Sequence, residues 1–261
     1  MKFHIISFFL LFIIVFFLFC QVKPMKEAFE EDDKSIEIVV ARYNEDLKWL
    51  HDEPFNQYDV IIYNKGDNDN FEKTDKVKKI VQLPNVGRDS YVYFHHIINN
   101  YDHLANVTIF FPGSIDLERK YDTAKQVVYN VKEKNDTVVS CQQLKNNNSL
   151  ENFRVEKYLS SHPNNSDHNI NKTMELAKIY PYGKWVRSTF KNGEKNNCIS
   201  WCILSGLSKK HIQRKPISYY KQFYDQVSNH QNPEVGHYIE RAWDAIFYPL
   251  SDSNKIPSMH G

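Results

Sequence analysis

The stretch LPNVGRDSYVYFHHIINNYDHLANVTIFFPG, Leu83–Gly113, decides how this chain is read. Leu83 closes an apolar strand, and Asn85 to Asp89 form a turn carrying Gly87, Arg88 and Asp89. From Ser90 the apolar positions Phe94, Ile97, Ile98 and Tyr101 recur at helical spacing, and Val107–Phe111 then reads as a buried strand. A strand, a charged turn and a helix in succession make a sound anion site. The first-turn amides point outward, the helix dipole favours negative charge, and an arginine beside the helix start adds a two-pronged donor. The plainer alternative is that Asp89 or Ser90 caps the helix and Arg88 is solvated.

The same pattern extends in both directions. Ile36–Ala41 reads as a first strand, and Asn44 can cap a helix holding Leu47, Trp49 and Leu50. Asp59–Tyr63 and Lys79–Leu83 are further strands, a helix lies around Asp122–Val131, and Val138–Gln143 is another strand. Lys145–Lys172 is rich in Asn and Ser without periodicity and reads as a long surface loop. A strand at Cys198–Ser205 and helices near Lys209–Gln213, Ile217–Val227 and Pro233–Tyr248 follow, with Ser251–Gly261 as a tail. Strands alternating with helices predict an α/β fold, a mixed and mostly parallel sheet with helices on both faces.

In such sheets ligands bind beyond the carboxyl ends of the strands. That rule selects Arg42, Tyr43, Asn44, Glu45 and Asp46 after the first strand, and Asn64, Lys65 and Gly66 after the second. It also selects Arg88 and Asp89, then Pro112 to Asp116. Each has a duller role available: Asn44 as a cap, Asn64–Gly66 as a turn, Asp46 as a partner for a nearby Lys.

With 261 residues, 41% hydrophobic and 25% charged, the chain suits one globular domain plus an appendage. A net charge of +1 argues against a nucleic-acid partner. The appendage is Phe3–Cys20, apolar but for His4 and Ser7 and about 18 residues long, near the lower limit for a transmembrane helix. Its bulky end lacks a small-residue cleavage pattern, so it reads as an uncleaved signal anchor within residues 1–22, followed by an acidic stem over residues 23–35. Lys2 before it against Lys23 and Lys26 after it does not favour a lumenal C-terminus. N-x-S/T sequons at Asn106, Asn135, Asn147, Asn164 and Asn171 point the other way, towards the lumen of the endoplasmic reticulum or Golgi. Of the cysteines, Cys198 and Cys202 are too far apart along a strand to bridge each other. Cys141 can pair with either, and buried free thiols are the alternative.

Four motifs in order carry a resemblance: IEIVVARYNEDLKWL (Ile36–Leu50), VIIYNKG (Val60–Gly66), NVGRDSYVYFHHIINNYDHL (Asn85–Leu104) and NPEVGHYIERAW (Asn232–Trp243). Together they resemble the family catalogued as domain of unknown function 3431. That family is similar in fold to GT-A, nucleotide-diphospho-sugar glycosyltransferases, which implies a nucleotide sugar as co-substrate and a glycan or protein acceptor. A weaker similarity links CISWCILSGLSKKHI (Cys198–Ile212) to the G-S-x-W-F-x-L-S-R segment of branching N-acetylglucosaminyltransferases and xylosyltransferases. In those a P-x-E segment with a catalytic Glu follows, as Asn232–Glu234 does here; Cys202 and Gly206 depart from the pattern.

A metal-dependent member would carry D-x-D after the strand Val107–Phe111, where this chain has PGSIDLE. Asp67–Asn68–Asp69 spells the motif, but inside a polar loop. The sequence leaves the metal open and leans towards none, with Arg42, Lys65 and Arg88 available to neutralise a diphosphate. In the last helix Asn232 suits the N-cap and Pro233 the first turn. Val235, Ile239, Ala242 and Ile246 form an apolar stripe, and Glu234, His237, Glu240, Arg241 and Asp244 lie opposite. The expectation is a membrane-anchored glycosyltransferase. Arg42, Tyr43, Asn44, Glu45, Asp46, Asn64, Lys65, Arg88, Asp89 and Arg241 would contact substrate, Glu234 or Glu240 would take the acceptor proton, and His237 would orient it. The alternative is an inactive lumenal module that binds glycans or proteins on the same scaffold.

Overall fold

In a computed structural model, residues 35–144, 150–156, 162–164, 174–190 and 198–258 are described. The predicted anchor and all of the stem but Ser35 lie outside them, and no described helix is long and apolar enough to cross a membrane.

Four strands form the parallel half of the sheet: β1 (Ile36–Arg42), β2 (Asp59–Asn64), β3 (Val77–Gln82) and β4 (Val107–Pro112). Helix α1 (Arg88–Asn99) crosses from β3 to β4, and α2 (Glu118–Lys134) leads to β5 (Val138–Gln143). Then come α3 (Tyr182–Thr189), β6 (Cys198–Ile199), β7 (Ser205–Ser208), α4 (Lys209–Ile212), α5 (Ile217–Val227), α6 (Glu234–Arg241), α7 (Trp243–Ile246) and β8 (Lys255–Pro257). The sheet runs β3-β2-β1-β4-β7-β5-β6, with β7 antiparallel to β4 and β5 and with β8 parallel to β5. The strand order reverses between β1 and β4, a switch point of the kind where open α/β sheets bind ligands.

Both faces are covered, as the apolar runs require. On β1, Val39 and Ala41 join a core layer with Phe94, Phe223, Tyr238 and Trp243, while Ile38 and Val40 join another with Trp49, Phe55 and Val128. The period-two alternation of strand side chains thus divides one run, IVVA, between two layers.

The structure departs from the sequence reading in five places. Lys48–His51 is a short 3₁₀ turn, and Leu47, in the left-handed region at φ 58°, occupies the cap position expected of Asn44. The strand expected at Cys198–Ser205 is broken. Between Gln142↔Ile199 and Val139↔Ser205, a short step along β5 faces a longer excursion of its partner, and the surplus residues around Trp201 and Cys202 bulge out. The last helix ends at Arg241 and restarts at Trp243, because Ala242 leaves helical geometry at φ −97°, ψ 15°. The tail supplies β8. Finally, within the expected surface loop the described residues Leu150 and His162 are buried.

Candidate functional site

The loops after β1 and β2 are tied together by Arg42, which is wholly buried. Its Nε donates to the Glu45 carbonyl at 2.8 Å, Nη1 to Asn64 Oδ1 at 2.7 Å and to the Asn68 carbonyl at 2.8 Å, and Nη2 to Asn68 Oδ1 at 2.9 Å. The guanidinium also stacks 4.4 Å from the Phe71 ring centroid. Every nitrogen of the group is engaged by protein, so Arg42 is the post around which the two loops are wound. Asn64 belongs to the same web, donating to Asn68 O and Gln82 Oε1. Asn44 Oδ1 accepts from Asn68, and Asp46 pairs with Lys48 at 3.0 Å on the surface. Of the residues after β1, Glu45 turns inward: its Oε2 accepts the Tyr43 amide at 2.7 Å and packs on Gly113, where a Cβ would sit 2.8 Å from that oxygen. Glycine at the end of β4 is what lets the carboxylate lie across the switch point.

Lys65 leaves the end of β2 and is buried. Its Nζ donates to the carbonyl of Arg88 at 2.6 Å and reaches that of Val86 at 3.4 Å. Burial pulls its pKa down to about 8, against the opposing pull of Asp89 and Glu45. The carbonyls it holds belong to a turn with two successive left-handed residues, Gly87 at φ 62° and Arg88 at φ 53°. Gly87 is packed so closely that a Cβ there would run into the Val227 carbonyl. An arginine in the left-handed region costs about 1–3 kcal/mol, and such outliers cluster where function demands a fixed backbone. Asp89 follows in the first turn of α1; burial raises its pKa, while Lys65, Arg88 and Lys120 pull it down.

Helix α6 closes the cleft opposite this turn. Gly236 faces the turn, with an ideal Cβ 3.9 Å from Arg88 Cδ. Beyond it, His237 Nδ1 lies 3.8 Å from Glu240 Oε2, and Arg241 Nη1 donates to the same oxygen at 3.1 Å. Burial alone would raise the Glu240 pKa, but His237, Arg241 and Arg88 together hold it below the ordinary carboxylate value. Burial takes the His237 imidazole down to about 4, so it is neutral near pH 7. Arg241 is sandwiched by aromatic rings, 4.3 Å from Phe153 and 5.0 Å from Trp201. Tyr43, Asn64, Lys65, Arg88, Asp89, Glu45, His237, Glu240 and Arg241 therefore converge, directly or through their loops, on the carboxyl end of the sheet.

Glu234 does not. It is fully buried and accepts from Arg154 Nε at 3.2 Å, Tyr238 Oη at 2.8 Å and the amides of Ala177 at 2.9 Å and Val155 at 3.2 Å. The polar arc expected along α6 is thus split: Glu234 fastens the segment before α3, and only His237 and Glu240 look towards Arg88. Sequence spacing alone could not distinguish them, since Glu234 and His237 are both buried.

Other groups in the cleft escaped the sequence reading. Lys120 donates to Ser114 Oγ at 2.8 Å, and His162 reaches Asp116 at 3.1 Å, which raises the imidazole pKa. Tyr93, one helical turn beyond Asp89, is wholly buried with no hydrogen-bond partner for its hydroxyl, within electrostatic reach of Asp89, Cys202, Glu240 and Glu45. The thiol of Cys202, on the bulge, is driven to about 12 by burial. The i,i+4 spacing of Asp89 and Tyr93 was the available signal; nothing in the sequence points to His162. Among the described residues no group of three His, Cys, Asp or Glu side chains is arranged to hold a metal ion.

Residues 38–260 match the family described as protein of unknown function (DUF3431). The chain belongs to this family. Neither the curated proteins nor the solved structures include a match to it. The match runs from within β1 through β8, so both the switch-point loops and α6 are parts of the family's domain.

Proposed function

We propose that this member of the family is a glycosyltransferase of GT-A type that uses a nucleotide sugar. The observation that carries the reading is the gathering of Lys65, Arg88 and Lys120 around Asp89 at the strand ends, with the half-buried carboxylate of Glu240 within electrostatic reach of Arg88. The cations and the first turn of α1 suit a diphosphate. Glu240, ionised and steered by neutral His237, suits deprotonation of an acceptor hydroxyl. In the transfer, the bond from the anomeric carbon to the diphosphate oxygen breaks, the acceptor oxygen bonds to that carbon, and the acceptor proton passes to Glu240. The diphosphate leaves with the bonding electron pair, its charge met by Arg88 and Lys120.

The disulfide between Cys141 and Cys198, Cα atoms 5.6 Å apart, supports an oxidising compartment and with it the lumenal orientation. One observation favours the rival reading of a binding module without turnover: Arg42 and Lys65, both candidate diphosphate ligands, spend their donors on backbone carbonyls and Asn side chains. Assay of the purified domain with a panel of nucleotide sugars, with and without Mn²⁺, separates the two. Transfer or hydrolysis supports the enzyme, binding without turnover supports the module, and no binding of any nucleotide removes both the donor site and the enzyme.

A further inference from the structure

A second cavity lies away from the cleft, on the far side of the α6 N-terminus. Its volume is about 470 Å³, within the roughly 300–1,000 Å³ range of small-molecule sites. One wall is polar: Gln222 and Asp225 sit at helical spacing on α5, and Asn229 follows just past its end. The facing wall is apolar, made by Trp185 of α3 together with Leu176 and Ile179. Leu176 is 52% exposed and Ile179 38% exposed, unusual for large aliphatic side chains on an otherwise well-covered domain.

The segment carrying these two residues is held in place. The Glu175 amide donates to Asn232 O at 3.2 Å, the Glu234 amide to Glu175 O at 2.8 Å, and the Ala177 amide to Glu234 Oε2 at 2.9 Å. Trp185 is held too, its Nε1 donating to Gln226 Oε1 at 2.9 Å. The aliphatic side chains are thus presented to the cavity by a fixed backbone, and the walls are preformed.

The chemistry of the walls selects the ligand. Amide groups offer donors and acceptors together, and the carboxylate accepts hydroxyl protons. Ser188 and Thr189 add hydroxyls at the end of α3. Two carboxylates, Glu175 and Asp225, line the cavity against one cation, Lys178, so a phosphate or nucleotide would meet net negative charge. A wholly apolar ligand would strand the amides without hydrogen bonds. A ligand with a C–H face and an edge of hydroxyls satisfies both walls at once. We infer that this cavity binds a neutral saccharide, with the ring face against Leu176 and Ile179 and the hydroxyls on Gln222, Asp225 and Asn229. The site is separate from the cleft and does not depend on the donor reading.

Saturation-transfer NMR on the full-length protein with glucose, galactose, mannose and N-acetylglucosamine tests it. At least one of these sugars should receive saturation, and Asp225→Ala should weaken its binding by at least tenfold. Asp225 is exposed on α5, so the variant keeps the fold. Ile179→Ala, on the other wall, should weaken binding of the same sugar. No saturation of any of the four sugars overturns the inference. So does a sugar that binds equally well to both variants, since it then sits elsewhere, the cleft included. Nucleotide binding measured on the same variants should be unchanged. Sugar binding lost with nucleotide binding intact identifies this cavity independently of whether the cleft proves catalytic.

Discussion

The ammonium of Lys65 is hydrogen-bonded to the carbonyl oxygen of Arg88 at 2.6 Å, so the end of β2 fastens the left-handed turn that opens α1. A lysine predicted to meet a phosphate directly instead sets the backbone on which a neighbouring arginine stands. The proposed anion site and the fold share one residue.

This arrangement has a pH signature. With a folded pKa of about 8 against an ordinary lysine value of 10.5, the unfolded chain binds more protons than the folded one between those values. Stability contributed by Lys65 therefore rises with pH across that window, by on the order of 3 kcal/mol when complete. Urea unfolding at pH 7.5 and 10 should show the rise in the wild type and its loss in Lys65→Met. An identical pH dependence in the two proteins would remove Lys65 as its source.

Glu234 and Glu240 should separate fold from chemistry. Glu234→Gln weakens the acceptor that the Tyr238 hydroxyl and the Ala177 and Val155 amides share and should cost about 1–3 kcal/mol of stability. Glu240→Gln should leave the unfolding midpoint nearly unchanged and lower turnover by about 10²–10⁴, with donor affinity retained. Denaturation and kinetics on the two variants check both halves, and a Glu240→Gln enzyme with full turnover would exclude it as the base.

Arg42→Lys keeps the charge but loses the planar fork that engages Asn64, Asn68 and the Glu45 carbonyl. Loss of at least about 2 kcal/mol is expected from the buried acceptors left unmet. Proteolysis should then cut first between Asn64 and Phe71, the loop that Arg42 winds in. Cleavage distributed over the whole chain would indicate global rather than local loosening.

Removing the bridge with Cys141→Ala and Cys198→Ala should destabilise the domain by about 4 kcal/mol, the chain-entropy value for a closed loop of 57 residues. Thermal unfolding of this double variant against the wild type without reductant measures it. Cys202→Ala should leave the midpoint within about 1.5 kcal/mol, since that thiol is free and only its packing is lost.

The layered α/β fold was legible because its signals are local. The IVVA run, the spacing of Phe94 and Ile97, and the apolar Val107–Phe111 strand are each set by side chains that alternate or recur towards a core. The grouping of Lys65, Arg88 and Asp89 was legible because strand order alone brings the ends of neighbouring strands together, whatever the details of packing. What was hidden depends on contacts distant in sequence. Glu234 and His237 are three residues apart on one helix, and only the segment carrying Arg154 and Ala177, packed against one side, assigns them opposite duties. Arg42 looked like a ligand because its partners, Asn64 and Asn68, are loop residues that no periodicity marks. The break after Ile199 was invisible for a similar reason, since a run of Ile, Cys and Leu satisfies the strand pattern whether or not its middle bulges.

The bridge between Cys141 and Cys198 joins neighbouring strands, and Gln142 pairs with Ile199 just beside it. Among the described residues between them, α3 and one wall of the second cavity belong to an excursion whose two ends are joined at the bridge. Such an excursion can lengthen or shorten at a loop-closure cost that grows only logarithmically, while the strands and the cleft keep their positions. An insertion or deletion between the two cysteines should therefore leave the loops at the strand ends where they are.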